Sequence, residues 1–396
     1  MRTLRQAIVL TILCNLFLNG CKDPYEPTFE ARDLDPILIV EGFINAFGPH
    51  STYTLGYAIP IADLDAEVAG GNDNIPVTNA SLNIEAENGP VYPSQPAAAP
   101  GSYRVLHPQL DTNIRYRLRI EIGGDIYLSD FVDVKISPEI GEITWAETEE
   151  GIQLYVSTED TDNNSRYYRW EFEEAWRFTT PYVSTLIYDY DHAVVRMRTP
   201  EERVETCFME ESSTDILLST SEGMSQDVID RYPIHFIPRL SDKLGWRYAI
   251  LVKQWVMSRE AFVYWDLLKE NSENLGNVFG PMPTEVRGNI SHIDNPLRPV
   301  IGMVEAIGVA EKRIYIDYLG ISWALEARSE LGTDCFVRVI HGEDGPTGIH
   351  AFMYENRNTF ILFQDFDPGV RTYVTTRSCM DCTVRGKLEA PSFWEE

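Results

Sequence analysis

Ala80-Ser-Leu-Asn-Ile-Glu-Ala86 decides how the first part of this chain folds. Apolar and polar residues alternate, so an extended strand would carry Leu82 and Ile84 on one face and their neighbours on the other. The same habit continues in both directions. Upstream lie the β-branched run Ile37-Leu-Ile-Val-Glu-Gly-Phe-Ile44 and Ser51-Thr-Tyr-Thr-Leu-Gly-Tyr57. Downstream lie Tyr103-Arg-Val-Leu106, Tyr116-Arg-Leu-Arg-Ile-Glu-Ile122 and Ile126-Tyr-Leu-Ser-Asp-Phe-Val132. Turn-forming clusters at Gly48-Pro49, Gly70-Gly-Asn-Asp73, Asn88-Gly-Pro90 and Gly123-Gly-Asp125 separate them. Roughly six or seven short strands within about 100 residues, with no helical period, predict an immunoglobulin-like β-sandwich over residues 36–138.

A second β-rich unit is expected over residues 139–396. Ile143-Thr-Trp-Ala146, Gly151-Ile-Gln-Leu-Tyr-Val156 and Tyr167-Tyr-Arg-Trp-Glu-Phe172 read as opening strands of a fibronectin-type sandwich, with Trp170 as its core tryptophan. Further strands are expected at 215–218, 234–237, 246–255, 299–306, 312–316 and 360–363. One helix interrupts them near 258–274. Ser258 is placed as its N-cap, and Phe262, Trp265 and Leu268 recur on one face until Asn274 to Gly276 stop it. The expected fold class is mainly β: two sandwich domains, the second with an inserted helix and a disulfide-stapled C-terminal segment.

The chain's beginning reads as an address. Arg2 and Arg5 precede an apolar run from Ala7 to Leu18, too short to span a bilayer, and Leu18-Asn-Gly-Cys21 resembles a lipobox. Residues 1–20 are then a signal peptide and Cys21 the lipidated residue; an ordinary secretory signal that contains a cysteine is the alternative. Diacylglycerol plus a further acyl chain, such as palmitate, gives stable anchoring where one chain does not. Lys22-Asp23 resembles a signal for the outer-membrane surface, so the surface is preferred to the periplasmic face. Residues 21–35 are polar, carry prolines and read as a tether.

Composition fits a folded exported protein. Apolar residues make up 44% and aromatics 11%, enough for a core. Without Arg2 and Arg5, 31 basic residues face 61 acidic ones, a net charge of −30. That field repels nucleic acid and anionic headgroups. Beyond Cys14 and Cys21, four cysteines remain: Cys207, Cys335, Cys379 and Cys382. An even number in an exported chain points to two disulfides with three pairings open. Ring closure inside Cys379-Met-Asp-Cys382 strains the backbone, so each of these two is expected to bond elsewhere, one to Cys335 and one to Cys207. A zinc half-site or redox motif is the alternative for this C-x-x-C.

Chemistry is sparse. No nucleophile elbow, P-loop, helical zinc motif or dinucleotide fingerprint occurs, and no cofactor is expected. Asp160, Asp162, Asn164 and Glu171 mimic calcium-loop spacing. Ser165 stands where the sharp turn needs glycine, so a plain hairpin turn is preferred and no metal is assigned. His341 and His350 read as solvated loop residues, and Tyr188-Asp-Tyr-Asp-His192 as an exposed acidic loop.

Several segments resemble the outer-membrane lipoprotein family known as domain of unknown function 4249. They are Ile37 to Asn45; Gly101-Ser-Tyr103 with Tyr116 to Ile120; Tyr248 to Gln254 through Tyr264-Trp265 to Asn277-Val-Phe-Gly280, Pro283 and Gly288-Asn-Ile290; and the ending Cys379 to Cys382, Arg385-Gly386, Pro391 and Phe393-Trp394. Lys387 stands where the family more often has a second glycine, and Gly342 to Asp367 matches nothing in it. The resemblance implies an envelope lipoprotein encoded near TonB-dependent receptors, and brings no catalytic residues with it.

Three functions follow as expectations. The first is a non-enzymatic outer-membrane lipoprotein accessory to a TonB-dependent transporter, in ligand handling or assembly. The second is a glycan-binding or adhesion module using Tyr188, Tyr190 and Trp176. The third is a hydrolase with two carboxylates about 5 to 9 Å apart.

Overall fold

Alternating burial along the strands builds the first unit. The computed structural model describes residues 36–58, 74–273, 286–324, 335–341, 345–364 and 371–395. Residues 1–35, with the expected signal peptide, Cys21 and expected tether, lie outside them, as do the expected turn at 70–73 and the expected helix stop at 274–276. In chain order come β1 (Leu38–Gly42), β2 (Ile44–Asn45), β3 (His50–Ala58), β4 (Asn74–Pro76), β5 (Ala80–Ala86), β6 (Val91–Pro96), β7 (Ser102–Leu106), β8 (Tyr116–Ile122), β9 (Asp125–Ser129) and β10 (Val134–Ile136). Next are β11 (Ile140–Glu147), β12 (Gly151–Asp160), β13 (Tyr167–Thr179), β14 (Leu186–Asp189), β15 (Val194–Met197), β16 (Thr206–Ser212), β17 (Leu217–Thr220), β18 (Asp227–Pro238) and β19 (Arg247–Met257). Helix α1 (Arg259–Glu273) precedes β20 (Ile290–His292), β21 (Val300–Ile301), β22 (Ala306–Gly308), β23 (Ala310–Asp317) and β24 (Arg338–His341). Helix α2 (Gly345–Glu355), β25 (Thr359–Gln364) and β26 (Arg371–Thr376) follow.

The protein is mainly β, as its alternation predicts. In β8, Tyr116, Leu118, Ile120 and Ile122 are buried, while Arg117, Arg119 and Glu121 face outward. Arg117 and Arg119 reach Glu85 on neighbouring β5 at 2.7 and 4.0 Å. Where two facing sheets are expected over 36–138, one ten-stranded sheet runs β20-β9-β8-β5-β6-β7-β3-β1-β21, with β4 beside β3. Strand β6 makes the corner: it pairs with β5 up to Pro93 and with β7 from Ser94 onward. Pro93 has no amide hydrogen to continue the first ladder, which suits a strand that changes partners there. At the two ends of the sheet β20 joins β9 antiparallel and β21 joins β1 in parallel, so the sheet curls toward closure around one core. These two strands come from residues 290–301, far beyond the expected boundary at 138.

The second unit has two sheets, β11-β12-β18 and β16-β13-β19-β23 with β17 beside β13. They share an aromatic core containing Tyr168, Trp170, Trp176, Phe178 and Tyr248. Trp170 is the core tryptophan expected. Its indole donates to Gln254 Oε1 at 2.9 Å, and Gln254 donates in turn to the Pro138 carbonyl and the Thr158 hydroxyl. Those bonds satisfy a polar group that burial would otherwise leave costly.

Two disulfides staple the C-terminal segment. Cys207 of β16 bonds Cys382 and Cys335 bonds Cys379, so neither closes within the C-x-x-C. The β24-β26-β25 sheet and α2 pack on the β14–β15 hairpin through Tyr188, Met353, Ile361 and Val374. The sequence reading missed α2, whose Gly/Pro-rich start reads as a turn. Pro346 stands in the first helical turn, where its missing amide hydrogen has no intrahelical partner to lose.

Candidate functional site

A cavity of about 470 Å³ lies between the outer faces of the two units. Alternation along three elements builds it. Leu38, Val40 and Ile44 point into the first core, which leaves Ile39, Glu41 and Phe43 on the outer side. Gly42 joins them at φ +134°, where a Cβ would sit 2.5 Å from the Thr52 carbonyl oxygen. On β13, Trp170 and Phe172 point into the second core, so Arg169 and Glu171 face the cavity. Arg169 is paired in register with Trp255 of β19. Helix α1 supplies Tyr264, Trp265 and Leu268 from the face its periodicity marks. Ser258 caps it, as expected: its Oγ accepts from the Ala261 amide at 3.1 Å. The size suits a small-molecule site.

The polar groups of the cavity are few. The Arg169 guanidinium lies 3.8 Å from the Trp265 ring centre and 5.3 Å from that of Trp255, and it bonds Glu171. Its Nε and the Trp255 indole Nε1 are buried without a hydrogen-bond partner. Glu305 is only 7% exposed, and its Oε1 accepts from the Ser258 amide at 2.8 Å. Burial pushes its pKa up to about 7, partly countered by the Ser258 hydrogen bonds. Lys135, Glu260 and Arg169 are the charged groups that act on it. Burial likewise raises the Tyr264 phenol to about 12.

Glu305 makes a pH prediction. Its folded pKa lies above the unfolded carboxylate value near 4, so the folded state binds the proton more tightly. Its contribution is therefore fully present below about pH 4 and is lost as pH rises through about 7. Glu305→Gln keeps an acceptor for Ser258 but cannot ionise. Between pH 5 and 8 the wild type should lose about 2 to 3 kcal/mol of unfolding free energy that the variant retains. Urea titrations at both pH values measure this; parallel pH profiles would refute it.

Apart from Glu171, the residues singled out from sequence fall elsewhere. Asp160 accepts from the amides of Asp162, Asn164 and Ser165 at 2.8 to 3.0 Å, capping its own turn. Glu171 is bonded to Arg169 instead, so the four calcium-spaced residues do not converge. Among the described residues no three His, Cys, Asp or Glu side chains form a metal-binding group. The exposed aromatic reading is corrected: Tyr188 is 3% exposed because its hairpin is covered by α2 and β25, and Trp176 is 2% exposed because β13 turns it into the core of the second unit. Tyr190 is half-buried and donates to the Met353 carbonyl at 3.2 Å. His350 is a helix residue whose Nδ1 lies 2.5 Å from the Tyr188 hydroxyl, not a solvated loop residue, and exposed His341 belongs to strand β24. A Ser51–His107 contact of 2.8 Å has the look of a nucleophile and base, but both residues are buried and Ser51 Oγ accepts from the Asn45 amide. It locks β3 to the chain after β7.

Of the cavity-facing residues only Glu171 was picked out from sequence as a binding residue, and as a calcium ligand rather than as part of this cavity. The available signal was apolar residues at outward positions: Ile39 on β1, Phe43 just after it, and Trp255 and Met257 beside buried Val256 on β19. Strands apolar on both faces are covered on both faces.

The family model described as domain of unknown function, DUF4249, matches residues 22–313. The chain belongs to this family. No curated protein matches the chain. The matched stretch of this DUF4249 protein contains every residue that lines the cavity and ends before Cys335, Cys379 and Cys382.

Proposed function

We propose that this DUF4249 protein is a non-enzymatic outer-membrane lipoprotein, anchored through Cys21 at the cell surface, that handles a small ligand for a TonB-dependent receptor. The observation that carries this reading is the junction cavity, whose walls include two buried donors without a hydrogen-bond partner. The lipobox-like Leu18 to Cys21 supports the anchor. The carboxylates in the cavity support binding rather than hydrolysis: Glu171 is tied to Arg169, and Glu305 accepts from a backbone amide. We read the second unit as a fibronectin-type sandwich and the first as an immunoglobulin-like one curled toward a barrel. The glycan-module reading loses support, because Tyr188 and Trp176 are not exposed.

The test is affinity purification of the lipidated protein from gently solubilised outer membranes, followed by mass spectrometry. A TonB-dependent receptor is expected in stoichiometric amounts. Recovery of the lipoprotein alone would overturn the accessory role.

A further inference from the structure

We infer that the junction cavity binds a neutral secondary amide with an apolar substituent, such as a blocked apolar amino acid; this rests on the reading of the cavity as a ligand site. The unpartnered groups on its walls, Trp255 Nε1 and Arg169 Nε, are both donors. Trp255 is 5% exposed and paired in register with Arg169, whose guanidinium carbon lies 5.3 Å from the indole ring, so both donors sit within reach of one ligand group. A carbonyl oxygen has two lone pairs and serves both. The amide hydrogen of the same group has carboxyl oxygens of Glu171 and Glu305 as acceptors on the walls.

Charge and polarity exclude the other ligand classes. An anion would face Glu41, Glu171 and Glu305 against Arg169 alone. A cation brings further donors to a site whose open groups already donate, and the face of Trp265 is occupied by the Arg169 guanidinium at 3.8 Å. A sugar would bury many hydroxyls against Ile39, Phe43, Met257, Leu268, Ile301 and Met303, which offer them no partners. A secondary amide has one donor and one acceptor group, and its apolar substituent matches those walls.

The test is calorimetric titration of the full lipidated chain in nanodiscs with four probes: N-acetyl-leucinamide, maltose, hexanoate and hexylamine. N-acetyl-leucinamide alone should saturate. Trp255→Phe keeps a ring and removes the N–H, and should weaken that binding about tenfold. Met303→Trp, which fills the cavity, should abolish it; an unchanged melting temperature shows that each variant is folded. Saturation by maltose, hexanoate or hexylamine instead, lost in Met303→Trp, would overturn the amide and leave the cavity reading standing. Amide binding unchanged in Trp255→Phe would overturn the assigned contact and the inference with it. No response to any probe would overturn both the inference and the ligand-handling role.

Discussion

Replacing Cys207 and Cys382 together by alanine is expected to lower the unfolding free energy by about 5 kcal/mol on chain-entropy grounds. The bond closes a loop with a sequence separation of 175 residues, so its absence frees a large unfolded ensemble. Removing Cys335–Cys379, with a separation of 44, should cost about 1 kcal/mol less. The longer bridge also holds the chain's end against β16. Phe208 and Lys387 exchange backbone hydrogen bonds at 2.8 and 2.9 Å, the Cys382 amide donates to the Val204 carbonyl at 2.7 Å, and Trp394 lies 5.1 Å from the Phe208 ring. Without the covalent tie only noncovalent contacts such as these, with the Tyr315 hydroxyl bond to the Phe393 carbonyl, secure the segment. The first proteolytic cuts in the variant should therefore fall between 380 and 395. A denaturation midpoint within about 1 kcal/mol of wild type would show that the unfolded chain is already constrained by other means.

Lys243→Met should destabilise the folded protein by about 3 kcal/mol at pH 7, because it strands a buried carboxylate. Glu174 is 5% exposed inside the second unit. It accepts from Lys243 Nζ at 2.5 Å and from the Tyr248 hydroxyl at 2.9 Å, with His235 Nε2 at 3.2 Å. Lys243 also pairs with Glu211 at 2.8 Å and sits 4.6 Å from the Trp176 ring centre, so methionine preserves the stem and removes the charge. Burial raises the Glu174 pKa, but the close approach of His235 and the hydrogen bond from Lys243 outweigh it and hold the carboxyl below its usual range. Its stability contribution is thus present above about pH 4 and is lost as pH falls through the depressed folded value. The gap between variant and wild type should narrow in acid, where Glu174 is protonated in both. Adding Glu174→Gln to Lys243→Met should recover much of the loss at pH 7, since no charge is then left unpaired. Equal losses at pH 7 and pH 3 would assign the effect to packing instead.

Much of the local architecture was legible along the chain. Leu82 and Ile84 are inward because a strand's period is two, and Ser258, Phe262, Trp265 and Leu268 mark a helix because a helical face recurs every three or four residues. That Cys379 and Cys382 each bond elsewhere followed from the strain of closing a ring within C-x-x-C; which of them takes Cys207 and which Cys335 did not. Tyr188 lies inside because α2, which the local pattern hides, covers it, and Trp176 because β13 turns it into a core built by strands distant in sequence. Helix α2 was hidden by a start rich in glycine and proline.

By itself the sequence determined the inner and outer faces of the alternating strands, the position of α1, the mainly β class and that neither disulfide closes within the C-x-x-C, all consequences of short-range period or cysteine spacing; which cysteine meets which was decided by the fold. Only the tertiary structure decided that β6 changes partners at Pro93 and that residues 290–301 return to edge the first sheet. It also placed Arg169, Trp255, Trp265 and Glu305 around one cavity. These are encounters between residues as much as 136 positions apart, Arg169 and Glu305, set by how two cores pack their outer faces together. No local period encodes which outer faces will meet.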